Sequence, residues 1–276
     1  GGHSSARTEP FAALSVDVMG KASLGASLAA YVAPEAMTGD NAVECEGCGG
    51  GRVDAARGAR LARASLPGTL AIHLKRFEFD TRTYERYKIT SRYEFPDDLD
   101  LVPYVEEEGG EGEAGGDGTH GRVPRVSTKY RLVGVVVHSG TAHAGHYYAL
   151  LALSGPDAAA LDAATGRRDG ASSSSSSSSS SAPPADDRRW FKYDDGAVTP
   201  WSLADLDQSC FGGRSATKLL AGVDRPYSAY MLFYERVDGT EEEAQAADDG
   251  GGLAQMETAP PAPGPPAAQS CRAVEA

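Results

Sequence analysis

Cysteine is scarce in this chain. There are four in 276 residues, at positions 45, 48, 210 and 271, too few to staple a fold of this length with disulfides. Long apolar runs are absent, and none approaches the roughly 20 residues needed to cross a bilayer. The stretch after Gly1 has neither the positive start nor the apolar segment of a secretory signal. Positive charge is outweighed: 26 Lys and Arg face 39 Asp and Glu, for a net charge of -13. That balance argues against a nucleic-acid partner. These absences predict a cytoplasmic or nuclear protein in a reducing compartment, with no membrane association. The 41% hydrophobic content is enough for a substantial core in one large domain or two small ones.

The apolar residues are patterned. Leu24, Leu28, Tyr31 and Val32 recur at helical spacing, predicting an amphipathic helix over Ser23 to Val32. Leu66-Pro67-Gly68 reads as a turn into a strand from Thr69 to Phe79. Leu70, Ile72 and Leu74 share one face of that strand, whereas Phe77 and Phe79 take the other phase, so a bulge or a doubly buried strand is expected at Lys75-Arg76. Tyr93-Glu-Phe95-Pro96 ends the segment. Tyr130 to Val137 is apolar in both phases and reads as a central strand. His146 to Leu153 and Trp190 to Asp195 follow as strands, with Gly196 turning the second. Ser202 and Asp205 have capping-box spacing for a short helix. The last strand, Tyr227 to Val237, is expected to carry Tyr230, Leu232 and Tyr234 on one face. Three regions have little to bury and read as disordered: the acidic loop 105–125, the linker 154–188 with its serine run Ser172 to Ser181, and the tail 238–276.

One constellation carries chemistry. His146 opens a strand directly after Gly145, and Asp194 lies on the next strand. If the two strands pair antiparallel, the acid can face the imidazole across the ladder and hold its Nδ1–H, as the orienting half of a cysteine–histidine–acid triad. Asp195 would point to the opposite face with Phe191 and Tyr193. Structural histidines also occupy strands, so these residues alone leave catalysis open. His138 reads as a strand end with a loop hydrogen bond, and His143 as a solvated loop residue. Cys45 and Cys48 form a C-x-x-C knuckle, half of a tetrahedral zinc site.

At these residues the sequence resembles the ubiquitin-specific proteases. The resemblance rests on Val136-Val-His138-Ser-Gly-Thr-Ala-His-Ala-Gly-His146-Tyr-Tyr, on Trp190-Phe-Lys-Tyr-Asp194-Asp195 and on Ala229-Tyr-Met-Leu-Phe-Tyr234. Leu66-Pro-Gly-Thr-Leu-Ala-Ile-His73-Leu-Lys-Arg-Phe77, Tyr93-Glu-Phe-Pro96, Gly39-Asp-Asn41 and Cys45-Glu-Gly-Cys48 fit the same pattern, as does Cys210-Phe-Gly-Gly213. It implies an α+β, papain-like fold, of which residues 1–237 would form the β-rich palm with an antiparallel sheet. The implied reaction is thiol-dependent hydrolysis at the C-terminus of ubiquitin, with ubiquitin and ubiquitinated proteins as partners. His146 matches the general base, Asp194 the acid that orients it, and Asp195 a second polar residue that assists. Tyr147 matches a position lining the channel for the ubiquitin Gly-Gly tail, and His138 is assigned to the substrate side with it.

The family's nucleophilic cysteine, at a helix N-terminus where its thiol is acidified, has no counterpart here. Cys210 falls after the acid, in the wrong order, and Cys271 lies in the tail. The N-terminal, nucleophile-bearing part is therefore expected to be missing and this chain alone inactive. No cofactor is expected for catalysis. A structural zinc is expected in the intact protein but not here, where Cys45 and Cys48 supply two ligands and His3 is a stray histidine. Two alternatives stand beside the enzyme: a non-catalytic ubiquitin-binding scaffold, and a zinc-dependent interaction module.

Overall fold

The computed structural model describes residues 3–106, 126–166, 187–215 and 222–237, together with the backbone of 271–275. Its centre is an eight-stranded mixed sheet. The strands are β1 (Leu14–Asp17), β2 (Thr69–Lys75), β5 (Asp98–Asp100), β6 (Lys129–Gly140), β7 (Gly145–Leu153), β8 (Arg189–Asp194), β9 (Ala197–Trp201) and β10 (Tyr227–Arg236). Their order is β9-β8-β7-β6-β10-β2-β1, with β5 also on β6. All neighbours are antiparallel except β1, which runs parallel to β2 at the edge. Between β2 and β5, β3 (Phe77–Asp80) and β4 (Glu85–Lys88) form a separate hairpin. Among the described residues no helix is long and apolar enough to cross a membrane.

Helix α1 (Leu24–Val32) starts where expected, because Ser23 Oγ accepts from the Ala26 N–H. Leu24, Leu28 and Val32 are buried, but Tyr31 is 39% exposed. Ser27 takes its place against the core. A buried hydroxyl must be paired, and this one donates to the Asp17 carbonyl and accepts from Tyr93 OH. Backbone bonds between Leu24 N and Glu94 O, and between Glu94 N and Ala22 O, tie the helix start to the Tyr93–Pro96 segment.

The phase change near Lys75-Arg76 is a complete break: β2 stays in the large sheet and β3 leaves it. Arg76, at the break, is 1% exposed. Its guanidinium donates to the carbonyls of Ala229, Ile89 and Ser91 at 2.8–3.2 Å and reaches that of Phe211 at 3.5 Å. Burial pulls it down to about 10, so it stays charged at neutral pH, solvated by backbone dipoles instead of water.

Two bulges change which residues face the core. In β6 the register shifts between Leu132 and Gly134, so Tyr130 and Leu132 point inward before it and Val135 and Val137 after it. In β10 the ladder passes from Met231 to Ala229, leaving Tyr230 out. Leu232 and Tyr234 are buried as expected, but Tyr230 stacks on the far side against His73 and Tyr147.

The low-complexity readings need two corrections. Residues Gly155–Thr165, placed in a linker by composition, form helix α2. Its buried Asp162 pairs with Arg189 at the start of β8, so a partner distant in sequence orders an alanine-rich stretch. In the tail, Cys271–Glu275 forms a strand between Ser4–Arg7 and Ala55–Gly58, parallel to both. Ladder bonds need no apolar composition, so this segment was hidden in the average over the tail. Most of the acidic loop, the serine run Ser172 to Ser181 and residues 238–270 lie outside the described residues. The short helix after Ser202 is a 3-10 turn, Leu203–Asp205, leading into α3 (Leu206–Cys210). Ser202 Oγ caps it by accepting from the Ala204 N–H.

Candidate active site

The register of β7 and β8 decides what His146 meets. Ala149 pairs with Tyr193, so continuing the ladder sets Asp194 opposite Tyr148 and makes His146 its diagonal neighbour on the same face. The expected direct opposition becomes a diagonal contact, His146 Nε2 to Asp194 Oδ1 at 2.6 Å. Asp194 is held below the usual carboxylate range, first by its bond to Lys192 and then by that to His146. An ionised carboxylate only accepts, so the ring proton sits on Nε2. The expectation of an Nδ1–H contact is therefore reversed, and Nδ1 is the ring nitrogen that the acid does not engage.

The loop before His146 is closed by its own bonds. Thr141 N–H donates to Ala144 O, and Thr141 Oγ1 accepts from the His143 and Ala144 N–H groups. Gly145 fits for a reason the sequence does not show: a Cβ there would lie 2.1 Å from His138 Nε2 and 2.6 Å from Ser139 O. Lys88, on β4, donates to the carbonyls of His138, Gly140 and Pro226. It therefore fastens the β3–β4 hairpin to the strand end that carries this loop.

Asp195 does not point away with Phe191 and Tyr193. It adopts φ 50°, and this left-handed turn brings its Oδ2 to 4.0 Å from His146 Nε2. The side chain is 85% exposed. Lys192 is a site residue that the sequence reading missed: its Nζ lies 2.7 Å from Asp194 Oδ2. The only signal was its place two residues before Asp194, on the same face of a strand. His146, Asp194 and Lys192 line one hollow with Ser139, Trp201 and Asp205.

Tyr147 and His138 lie on the opposite side of the sheet. Tyr147 is 48% exposed and meets His138 at a tilt, ring centres 4.7 Å apart, while Phe77 meets His138 edge-on at 5.0 Å. His138 is within β6, not at a loop end, and is 4% exposed. Its Nδ1 is buried without a hydrogen-bond partner, so the expected loop bond is not made. Burial, then the Lys88 charge, lowers its affinity for a proton, so it serves as a neutral aromatic wall. With Phe77, Phe79, Arg86 and the 141–145 loop, these residues line a cleft of about 490 Å³.

Burial pushes the Cys210 thiol far above its ordinary range, the reverse of what a nucleophile needs. Cys45 and Cys48 sit on a knuckle between the paired strands Val43–Cys45 and Gly51–Val53. His3 is not stray: its Nδ1 is 3.5 Å from Cys45 Sγ. A Cβ on Gly47 would fall 2.8 Å from the His3 ring, so the glycine makes room for it. Two thiols and an imidazole are zinc-type donors, and a closed structural site takes four.

The sequence profile of the family described as ubiquitin carboxyl-terminal hydrolase matches residues 36–234. The chain is 33% identical over 259 residues to ubiquitin carboxyl-terminal hydrolase 9Y of Mus musculus, covering 85% of this chain and 9% of that protein. To ubiquitin carboxyl-terminal hydrolase 24 of Homo sapiens it is 32% identical, again over 85% of this chain and 9% of the relative. Among solved structures it is similar to the SAGA DUB module containing an Ubp8 variant with Sgf11, Sus1 and Sgf73, bound to monoubiquitin. That match has a TM-score of 0.50 at 22% identity, over 84% of this chain and 36% of that one. The chain belongs to the ubiquitin carboxyl-terminal hydrolase family, a family of cysteine-type deubiquitinases. It spans about a tenth of the length of the curated relatives.

Proposed function

We propose that this chain is the base-bearing part of a thiol-dependent deubiquitinase, and that a segment outside it supplies the nucleophilic cysteine. The observation that carries this reading is the 2.6 Å contact between His146 Nε2 and Asp194 Oδ1, which leaves Nδ1 unshared among the described residues. In the reaction, His146 Nδ1 takes the thiol proton and the thiolate attacks the carbonyl at the ubiquitin C-terminus. The ring then returns the proton to the leaving amine, and water hydrolyses the acyl-enzyme through the same base. Asp194 fixes the tautomer and stabilises the imidazolium. Asp195, more exposed and farther from the ring, holds water beside it. The cleft of Tyr147, His138 and Phe77 takes the part of the ubiquitin tail before its C-terminal carbonyl, and the carbonyl itself passes the 141–145 loop that borders the cleft to reach His146. A structural zinc in the intact protein would draw on Cys45 and Cys48 as two of its ligands; His3 meets Cys45, but the three side chains do not gather into one cluster.

The test is turnover of a ubiquitin C-terminal amide by the full-length protein. His146→Ala should abolish turnover while ubiquitin affinity stays within a few-fold, because the aromatic cleft lies on the other face of the sheet. Unchanged turnover would sink the base assignment. The same separation supports a second reading, in which the chain binds ubiquitin without cutting it. An unaltered full-length protein that binds ubiquitin and never turns over would select that reading.

A further inference from the structure

Asp194 has two carboxylate oxygens, and each has a partner. Oδ1 takes the His146 ring and Oδ2 lies 2.7 Å from Lys192 Nζ. Lys192 and Asp194 are two apart on β8 and so share a face. The ammonium also sits 4.2 Å from the centre of the Tyr148 ring, and continuing the ladder sets Tyr148 opposite Asp194. The cation is thus held from below by an aromatic face and from the side by the acid.

A carboxylate bonded at one oxygen can swing about its terminal torsion; one bonded at both presents a fixed lone pair. The distinction matters here because two acids compete for one ring N–H. Asp195 Oδ2 is 4.0 Å from the same His146 Nε2, on a left-handed residue with an exposed side chain. Asp205 and Tyr227 line the same hollow, and no bond from either to Asp194 appears among the described residues. Among the described residues, Lys192 is the only lysine or arginine lining it.

We propose that Lys192 is a positioning residue for the reaction: its ammonium pins Asp194 Oδ2, so that Asp194 and not Asp195 holds the imidazole as the Nε2–H tautomer with Nδ1 free for the thiol proton. The proposal rests on the base role given to His146 above. It adds the cause of the acid's orientation.

The 15N shifts of the neutral His146 ring report its tautomer and can be read in the 276-residue chain, with no nucleophile present. Amide spectra check the fold of each variant. The unaltered chain should show one Nε2–H tautomer, and Asp194→Asn should lose that signature. Lys192→Met should shift the ring towards a mixture of tautomers, whereas Lys192→Arg, which can still bond Oδ2, should retain the single form. A Lys192→Met ring with unaltered shifts, beside a changed Asp194→Asn ring, overturns the proposal and leaves the base–acid pair intact. An unchanged Asp194→Asn ring overturns the pair itself. Should Lys192→Met fail to fold, Lys192→Gln is read by the same criteria.

Discussion

At Gly145 a single methyl group would collide with the facing strand β6, landing 2.1 Å from His138 Nε2. Gly145→Ala should therefore displace the histidine loop and destabilise the chain by about 1–3 kcal/mol, measured by urea unfolding. A full-length enzyme carrying it should lose turnover more than ubiquitin affinity. At Arg76 the opposite change is costly. Arg76→Met leaves the Ile89, Ser91 and Ala229 carbonyls without their buried donor, and it should lower stability by about 3 kcal/mol or more. An unfolding midpoint within error of the unaltered chain would show that these carbonyls do not depend on Arg76. The nearness of His146 and Asp194 was legible in the sequence, and the two do meet. Which nitrogen binds the acid, and where Asp195 points, were not, because both depend on ladder register and on one positive φ. Lys192 was passed over because a lysine on a strand usually reads as solvated surface.

Elements were legible where local pattern and burial agree. The start of α1 follows from Ser23, and the centrality of β6 follows from its unbroken apolar run. Sequence alternation failed at Tyr230, where a bulge resets it, because one extra residue exchanges the faces without altering composition. Helix α2 was missed because Asp162 gains its partner, Arg189, only after folding. Element docking also predicts a pH effect. Asp207 on α3 is held below the usual carboxylate range, first by its bond to Arg92 and then with help from Arg225. A carboxyl depressed by folding contributes stability above its unfolded pKa and loses it as pH falls through the folded value. Acid unfolding below about pH 4 should therefore become shallower in Asp207→Asn than in the unaltered chain. Equal slopes would show that the Arg92–Asp207 pair does not help to hold α3.

Across the whole molecule the sheet separates two groups of side chains. One side carries His146, Asp194 and Lys192, and the other side carries the aromatic cleft of Tyr147 and His138, fastened to the β3–β4 hairpin by Lys88. The two sides join at the closed loop 140–145. The central claim is that this chain supplies the base and another segment the thiol. The most direct measurement is covalent capture of the full-length protein by ubiquitin bearing a C-terminal electrophile, with the modified cysteine mapped by mass spectrometry. The adduct should fall on a cysteine outside these 276 residues and form far more slowly in His146→Ala. An adduct on Cys45, Cys48, Cys210 or Cys271, or capture at full rate without His146, would contradict the account.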